Sequence, residues 1–196
     1  MELKTDWPYL VAGDIILSTS ESWIAKSIRF FGKLQTGSAE FSHAAFALDG
    51  KHCIEALDRI RINPISRYYK QTVQIWRLPL SPNERDNFHD GMIIRTAGNY
   101  GWTKIPLFAM DSVCSSIGRM FGRTKPCVWF TKRAGIFNIQ VCSQLGVYGF
   151  HKFTDYRLCD VDHKEVTWRE VSPDYFADLL HLPHNRAQLL YEQQAT

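Results

Sequence analysis

Apolar and polar positions alternate in short blocks, and each block predicts one element. Gly13-Asp14-Ile15-Ile16-Leu17-Ser18 reads as a turn feeding a short buried strand. From about Ser22 to Leu34, Trp23, Ile24, Ile28 and Phe31 recur at helical spacing with Lys26, Arg29 and Lys33 between them, which predicts an amphipathic helix. Gly37 and Ser38 mark the loop after it. Ser42 to Leu57 reads as a β-hairpin, because the runs Ala44 to Leu48 and Cys53 to Leu57 flank Asp49-Gly50, the strongest short turn signal in the chain. Ile60 and Ile62 extend the strand region, and Val73 to Leu78 adds another strand. Pro79 and Pro82 bracket a loop before a helix from about Asn83 to Ala97, with Ser81 as its cap and Gly98 as its stop.

The segment from Trp102 to Asn138 is patterned least. Ile105 to Phe121 is apolar at helical spacing, and the remainder is basic and aromatic, with Pro126, Trp129 and Phe130. Ile139 to Phe150 reads as a short strand turning into a helix. Leu158 to Val161 and Val166 to Trp168 suit final strands, and Ser172-Pro173-Asp174 opens a helix with a cap, a first-turn proline and an acid. His184 to Thr196 reads as a polar helical tail. These elements predict one α+β domain over residues 1–196, an antiparallel sheet packed against helices, with an elaborated segment 102–140 and the tail 184–196.

Composition narrows the function. A chain of 196 residues can bury a substantial core, and 45% hydrophobic with 22% charged residues is ordinary for a globular protein. The net charge of +3 is too small to suggest a nucleic-acid partner, although Arg119, Arg123, Lys125, Lys132 and Arg133 cluster. The first nine residues carry Glu2, Lys4 and Asp6 with no apolar run behind them, unlike a secretory signal, and no stretch has the length of a spanning helix. A cytoplasmic protein is expected, reaching other targets by lysis or within a phage particle. The five cysteines form no Cys-x-x-Cys pair, so free and mostly buried thiols are expected.

Three residues carry the chemistry. Cys142 sits where an apolar lead-in, Ile139 and Val141, becomes a helical run. A thiol in the first helical turn feels the positive end of the helix dipole, and nearby backbone donors can hold an oxyanion. The competing reading is a small buried residue packing the helix on the sheet. His43 opens an otherwise apolar strand and needs a polar partner, as a structural residue or as a base. Glu55 lies inside the second apolar strand, between Ile54 and Ala56, where an unpaired charge is costly. A three-residue loop Leu48–Gly50, with Gly50 left-handed and Ala47 against Lys51, puts His43 directly opposite Glu55. A two-residue Asp49-Gly50 loop puts them on opposite faces. Catalysis therefore requires the three-residue loop.

The blocks Gly13-Asp14-Ile15-Ile16, Phe41-Ser42-His43-Ala44, Ile54-Glu55-Ala56 and Val141-Cys142-Ser143-Gln144-Leu145, in that order, resemble the permuted papain-like amidases of the YiiX and YaeF type. Those enzymes are circularly permuted relatives of the NlpC cell-wall peptidases, with histidine and carboxylate ahead of cysteine. The resemblance covers roughly residues 9–176, with weaker echoes at Gly98-Asn99-Tyr100-Gly101 and Ser172–Phe176; Gln144 stands where an acid often follows the Cys-Ser pair. It implies a papain-like hydrolase without metal or organic cofactor. Cys142 would attack an amide, thioester or ester carbonyl, His43 would shuttle the proton and Glu55 would orient the imidazole. Substrates would be small peptides, isopeptides, muropeptides or acyl-amides.

Other residues are assigned lesser roles. Tyr100 is a candidate substrate-pocket residue, against the reading of an aromatic that closes a helix end. Asp14 reads as a structural cap and Cys127 as a loop thiol without a histidine. His52, Cys53, His151, Cys159 and His163 lack zinc-ligand spacing. Two further functional readings stand beside the hydrolase. One is an acyltransferase or lipid-acting thiol hydrolase on the same fold, whose segment Ile105 to Phe121 lies on an anionic surface; packing of that segment over the core is preferred. The other is a non-catalytic binding module. The oligomeric state is left open.

Overall fold

The computed structural model describes residues 7–19, 40–56, 59–97, 142–168 and 171–194, with positions 26, 29, 30, 33, 110, 113–115, 117, 118 and 121. Six strands form one antiparallel sheet: β1 (Ile15–Thr19), β2 (His43–Ala47), β3 (His52–Ala56), β4 (Ile60–Pro64), β5 (Thr72–Arg77) and β6 (Gln188–Gln193). Their spatial order is β4-β3-β2-β1-β5-β6. Three α-helices lie wholly within the described residues: α1 (Pro82–Ile93), α2 (Cys142–Phe153) and α3 (Pro173–His181). The α+β expectation holds.

Strand parity builds two cores. Ile15, Leu17, Ala44, Phe46, Ile54 and Trp76 point to one face and pack with Phe88, Leu145, Phe150 and Phe176 of the helices. Ile16, Ala45, Ala47, Cys53, Val73 and Ile75 point to the other, where Leu10, Ile65 and Tyr68 cover them. Burial on both faces explains why these strands read as continuous apolar runs rather than alternating ones.

Helix starts follow their local signals. Ser81 caps α1 by accepting from the Glu84 amide while Glu84 Oε2 accepts from the Ser81 amide at 2.8 Å, a reciprocal capping box. The α-helix ends at Ile93 and tightens into a 3₁₀ turn, Ile94–Ala97. Ser172 caps α3 through the Tyr175 amide, with Pro173 at the first position.

Packing of α2 on the sheet depends on one missing side chain. A Cβ at Gly146 would stand 1.8 Å from the Phe46 ring. The helix that begins at Cys142 is thereby held close to the strand that begins at His43. Gly13 has φ +86°, a left-handed turn that a side chain disfavours, and its amide donates to the Ala47 carbonyl at 3.0 Å.

Four expectations change. The hairpin loop is Asp49–Lys51, not Leu48–Gly50: the Leu48 amide donates to the His52 carbonyl and Ala47 faces Cys53. Gly50 is not left-handed, because Asp49 Oδ1 accepts the Lys51 and His52 amides, both at 2.6 Å, and organises the turn itself. Residues 188–193 form β6 rather than a helix, since β5 offers an open edge and Leu190 and Tyr191 pack on the second core. The segment 158–168 makes a single antiparallel bridge, Cys159 with Glu165, around a turn in which His163 takes φ 58°, so no paired strands form there. Finally, Met110, Val113, Ile117 and Phe121 are exposed, so that segment does not bury its apolar stripe over the core. The apolar positions of the early helix, Trp23, Ile24, Ile28 and Phe31, lie outside the described residues, as do Gly98, Tyr100, Cys127 and the basic cluster 119–133; positions 26, 29, 30 and 33 are helical.

Candidate active site

β2 and β3 bring His43 and Glu55 together by a different register from the expected one. Ala45, not His43, lies opposite Glu55. The loop moves by one residue and the pairing by two, so parity survives and His43 and Glu55 share a face as diagonal neighbours. His43 Nε2 donates to Glu55 Oε2 at 2.6 Å.

Glu55 is completely buried, yet all its acceptor capacity is used. Oε2 also accepts from the Tyr68 hydroxyl at 2.5 Å, while Oε1 accepts from Asn63 Nδ2 at 2.7 Å and Arg67 Nη1 at 2.5 Å. Burial pushes the Glu55 carboxyl up, but the bond and charge of His43, then Tyr68 and Arg67, outweigh it and hold the group at about 2. An ionised carboxylate can only accept, so the Nε2 proton stays on His43 and Nδ1 is left for the thiol.

Cys142 is the first residue of α2 and its thiol is hydrogen-bonded to His43. Burial alone pushes the thiol up; the His43 charge and hydrogen bond and the backbone amides of Ala44 and Ser143 bring it below its ordinary value. Burial likewise pulls His43 down, but the Cys142 charge and bond, followed by the Glu55 bond and charge, raise it to about 9. Both shifts favour a thiolate–imidazolium pair near neutral pH. The His43 side chain is 14% exposed, so the pair sits at the protein's edge of access rather than deep inside.

The approach to His43 is pinned from two sides. Asp174 Oδ1 accepts the amides of Glu40 (2.9 Å) and Phe41 (3.0 Å), and Thr19 Oγ1 donates to the Glu40 carbonyl. The Ser42 amide then donates to the Ser18 carbonyl. Burial raises the Asp174 carboxyl to about 7 against those two donors. Asp14, by contrast, accepts from the Val11 amide and from Arg77 at both oxygens, with Arg85 Nη1 3.6 Å away; it ties the first turn to β5 and α1 and is remote from the thiol chemistry in function.

Sequence reasoning named Cys142, His43 and Glu55, and the structure places the three in one hydrogen-bonded chain. It missed Asn63, Arg67, Tyr68 and Asp174. A donor count would have found the first three: a carboxylate buried in a strand needs several partners, and the donor-rich stretch Asn63 to Tyr68 follows directly. Cys53, Cys114 and Cys159 are free thiols; Cys53 is buried and held well above the usual range by desolvation and by Glu55.

A buried Cys–His–carboxylate chain across a helix start and an antiparallel hairpin defines a thiol site on an α+β scaffold. The fold is similar to that of a solved structure, metalloprotein YiiX from Escherichia coli O157:H7, with a TM-score of 0.61 and 14% identity over 94% of this chain and 98% of that one. No protein-family model matches the chain, and no curated protein does. Among the described residues no group of three or more His, Cys, Asp or Glu side chains is placed to hold a metal ion. Glu55, with four donors already, has no lone pair directed at one. The described residues do not fit a metal centre.

Proposed function

We propose that this protein is a cysteine hydrolase of permuted papain-like, NlpC-like type that cleaves a small amide, peptide, isopeptide or muropeptide bond through an acyl-enzyme. The observation that carries this reading is the Cys142 thiol hydrogen-bonded to an imidazole whose Nε2–H is held by the saturated carboxylate of Glu55. The order of the three along the chain, histidine and carboxylate ahead of cysteine, supports permutation.

In this mechanism the Cys142 thiolate attacks the carbonyl carbon, forming a C–S bond and an oxyanion. The backbone amide of Cys142 is the first oxyanion donor. Collapse breaks the C–N bond as the imidazolium of His43 gives its Nδ1 proton to the leaving amine. Neutral His43 then takes a proton from water as its oxygen attacks the thioester. The C–S bond breaks, the acid product leaves and the thiolate–imidazolium pair is restored. Glu55 keeps its charge throughout and stabilises the imidazolium.

Intact-mass analysis after incubation with a peptidoglycan digest, isopeptides and simple acyl-amides tests the reading. We expect an acyl adduct on the wild-type chain, and none on Cys142→Ala. Iodoacetamide at neutral pH should label Cys142 ahead of the other cysteines. Absence of preferential labelling in the folded protein rejects an activated thiol; preferential labelling with no adduct from any acyl donor rejects the hydrolase.

A further inference from the structure

The helical positions between 110 and 118 are oriented the reverse of a surface helix. Met110, Val113 and Ile117 are 46%, 50% and 51% exposed, and Phe121 beyond them is 87% exposed. At 100° per residue the first three fall in one narrow arc, with Phe121 continuing its line. Ser115, nearly opposite on the helix, is 2% exposed. A helix that buries a serine and presents methionine, valine and isoleucine to water leaves a contiguous apolar stripe that a partner would cover.

Charge selects the partner. Residues 98–141 contain Lys104, Arg119, Arg123, Lys125, Lys132 and Arg133 against the single acid Asp111, a net +5 in a chain of total +3. A second copy would bring this excess against itself and be repelled. A nucleic acid would match the charge and leave the apolar stripe uncovered. An anionic bilayer matches both the apolar stripe and the cations that flank it in sequence, Arg119, Arg123 and Lys125. Asp111 and Arg119 interrupt the apolar run, so the segment would lie along the surface rather than cross it.

We propose that the face bearing Met110, Val113, Ile117 and Phe121 docks this protein on an anionic lipid bilayer. The proposal does not depend on the thiol chemistry. Its test is co-sedimentation of the full chain with phosphatidylcholine vesicles, with and without phosphatidylglycerol. The wild-type chain should bind the phosphatidylglycerol vesicles at low salt and more weakly at high salt. The double substitution Ile117→Glu with Phe121→Glu should weaken binding about tenfold or more, and Phe121→Ser alone should weaken it measurably. Far-UV circular dichroism and Cys142 alkylation should match wild type in both variants. No binding at low salt overturns the proposal, as does equal binding to neutral vesicles or undiminished binding of well-folded variants. A wild-type dimer dissociated by the double substitution would assign the face to a second copy and overturn it too.

Discussion

Glu55, inside β3, and Asp14, in the turn that leads into β1, are both fully buried carboxylates, and both are answered by arginine. Asp14 receives a backbone amide, Arg77 and Arg85, none of which changes charge in the working pH range. Glu55 receives Arg67, Asn63 and Tyr68 in the same spirit, but its fourth donor is His43, and His43 is bonded to a thiol. A buried ion pair by itself is weak ground for a functional site. What separates the two is one partner able to give up a proton.

Substitutions should pull the two regions apart. Cys142→Ala should lower turnover by about 10⁴-fold or more while leaving the thermal midpoint near wild type, measured by steady-state kinetics beside calorimetry, and His43→Ala should lower turnover as far. Asp14→Ala should do the opposite. Leaving Arg77 and Arg85 without their acceptor should cost about 3 kcal/mol in denaturant unfolding, with no change in the pH profile of Cys142 alkylation. A comparable loss of stability in Cys142→Ala, or a moved profile in Asp14→Ala, would erase the distinction.

Glu55→Gln keeps an acceptor for Nε2–H and removes the charge, so turnover should fall by up to about 10⁴-fold. In the wild-type protein the proposed activity should rise as pH climbs through the depressed thiol pKa and fall as His43 deprotonates near 9. In Glu55→Gln that alkaline limb should move to lower pH, because the Glu55 charge that helps raise His43 is gone.

The smallest effect concerns stability against pH. His43 binds its proton more tightly in the folded protein, about 9 against 6.5. The depressed Cys142 thiol gives up a proton in exchange, so between about 6.5 and 9 the pair holds one proton whether folded or unfolded and adds no slope. Asp174, raised from 3.8 to about 7, does add one: its contribution is present below about 3.8 and is lost as pH climbs through about 7. Unfolding free energy measured from pH 4 to 8 should therefore carry a declining component that ends just above pH 7, and in Asp174→Asn that component should disappear. A decline identical in that variant would put its source elsewhere.

Local signals in the sequence carried much of this. Ser81 with Glu84, Ser172 with Pro173, and the apolar runs of β1, β2 and β5 specify their elements within a few residues. Parity along the hairpin carried the pairing of His43 with Glu55 even though the register was off by two, because face depends only on odd or even offset. What the sequence hid was tertiary. Gln188 to Gln193 has no strand signature and becomes one because β5 needs a neighbour. The periodicity of Ile105 to Phe121 announces an amphipathic helix but cannot say which side turns inward. Asp174 looks like an ordinary first-turn acid, and only folding shows it gripping a loop 133 residues away.

The contact between Gly146 and Phe46 bears on all of this from outside the reacting atoms. The two rows of atoms that must meet, one led by the thiol and one by the imidazole, are spaced by a hydrogen where most residues would carry a carbon. A shim one methyl thick at position 146 would jack the helix off the sheet and open a gap between sulfur and ring. Such a chain would retain every reactive group and lose the circuit that joins them.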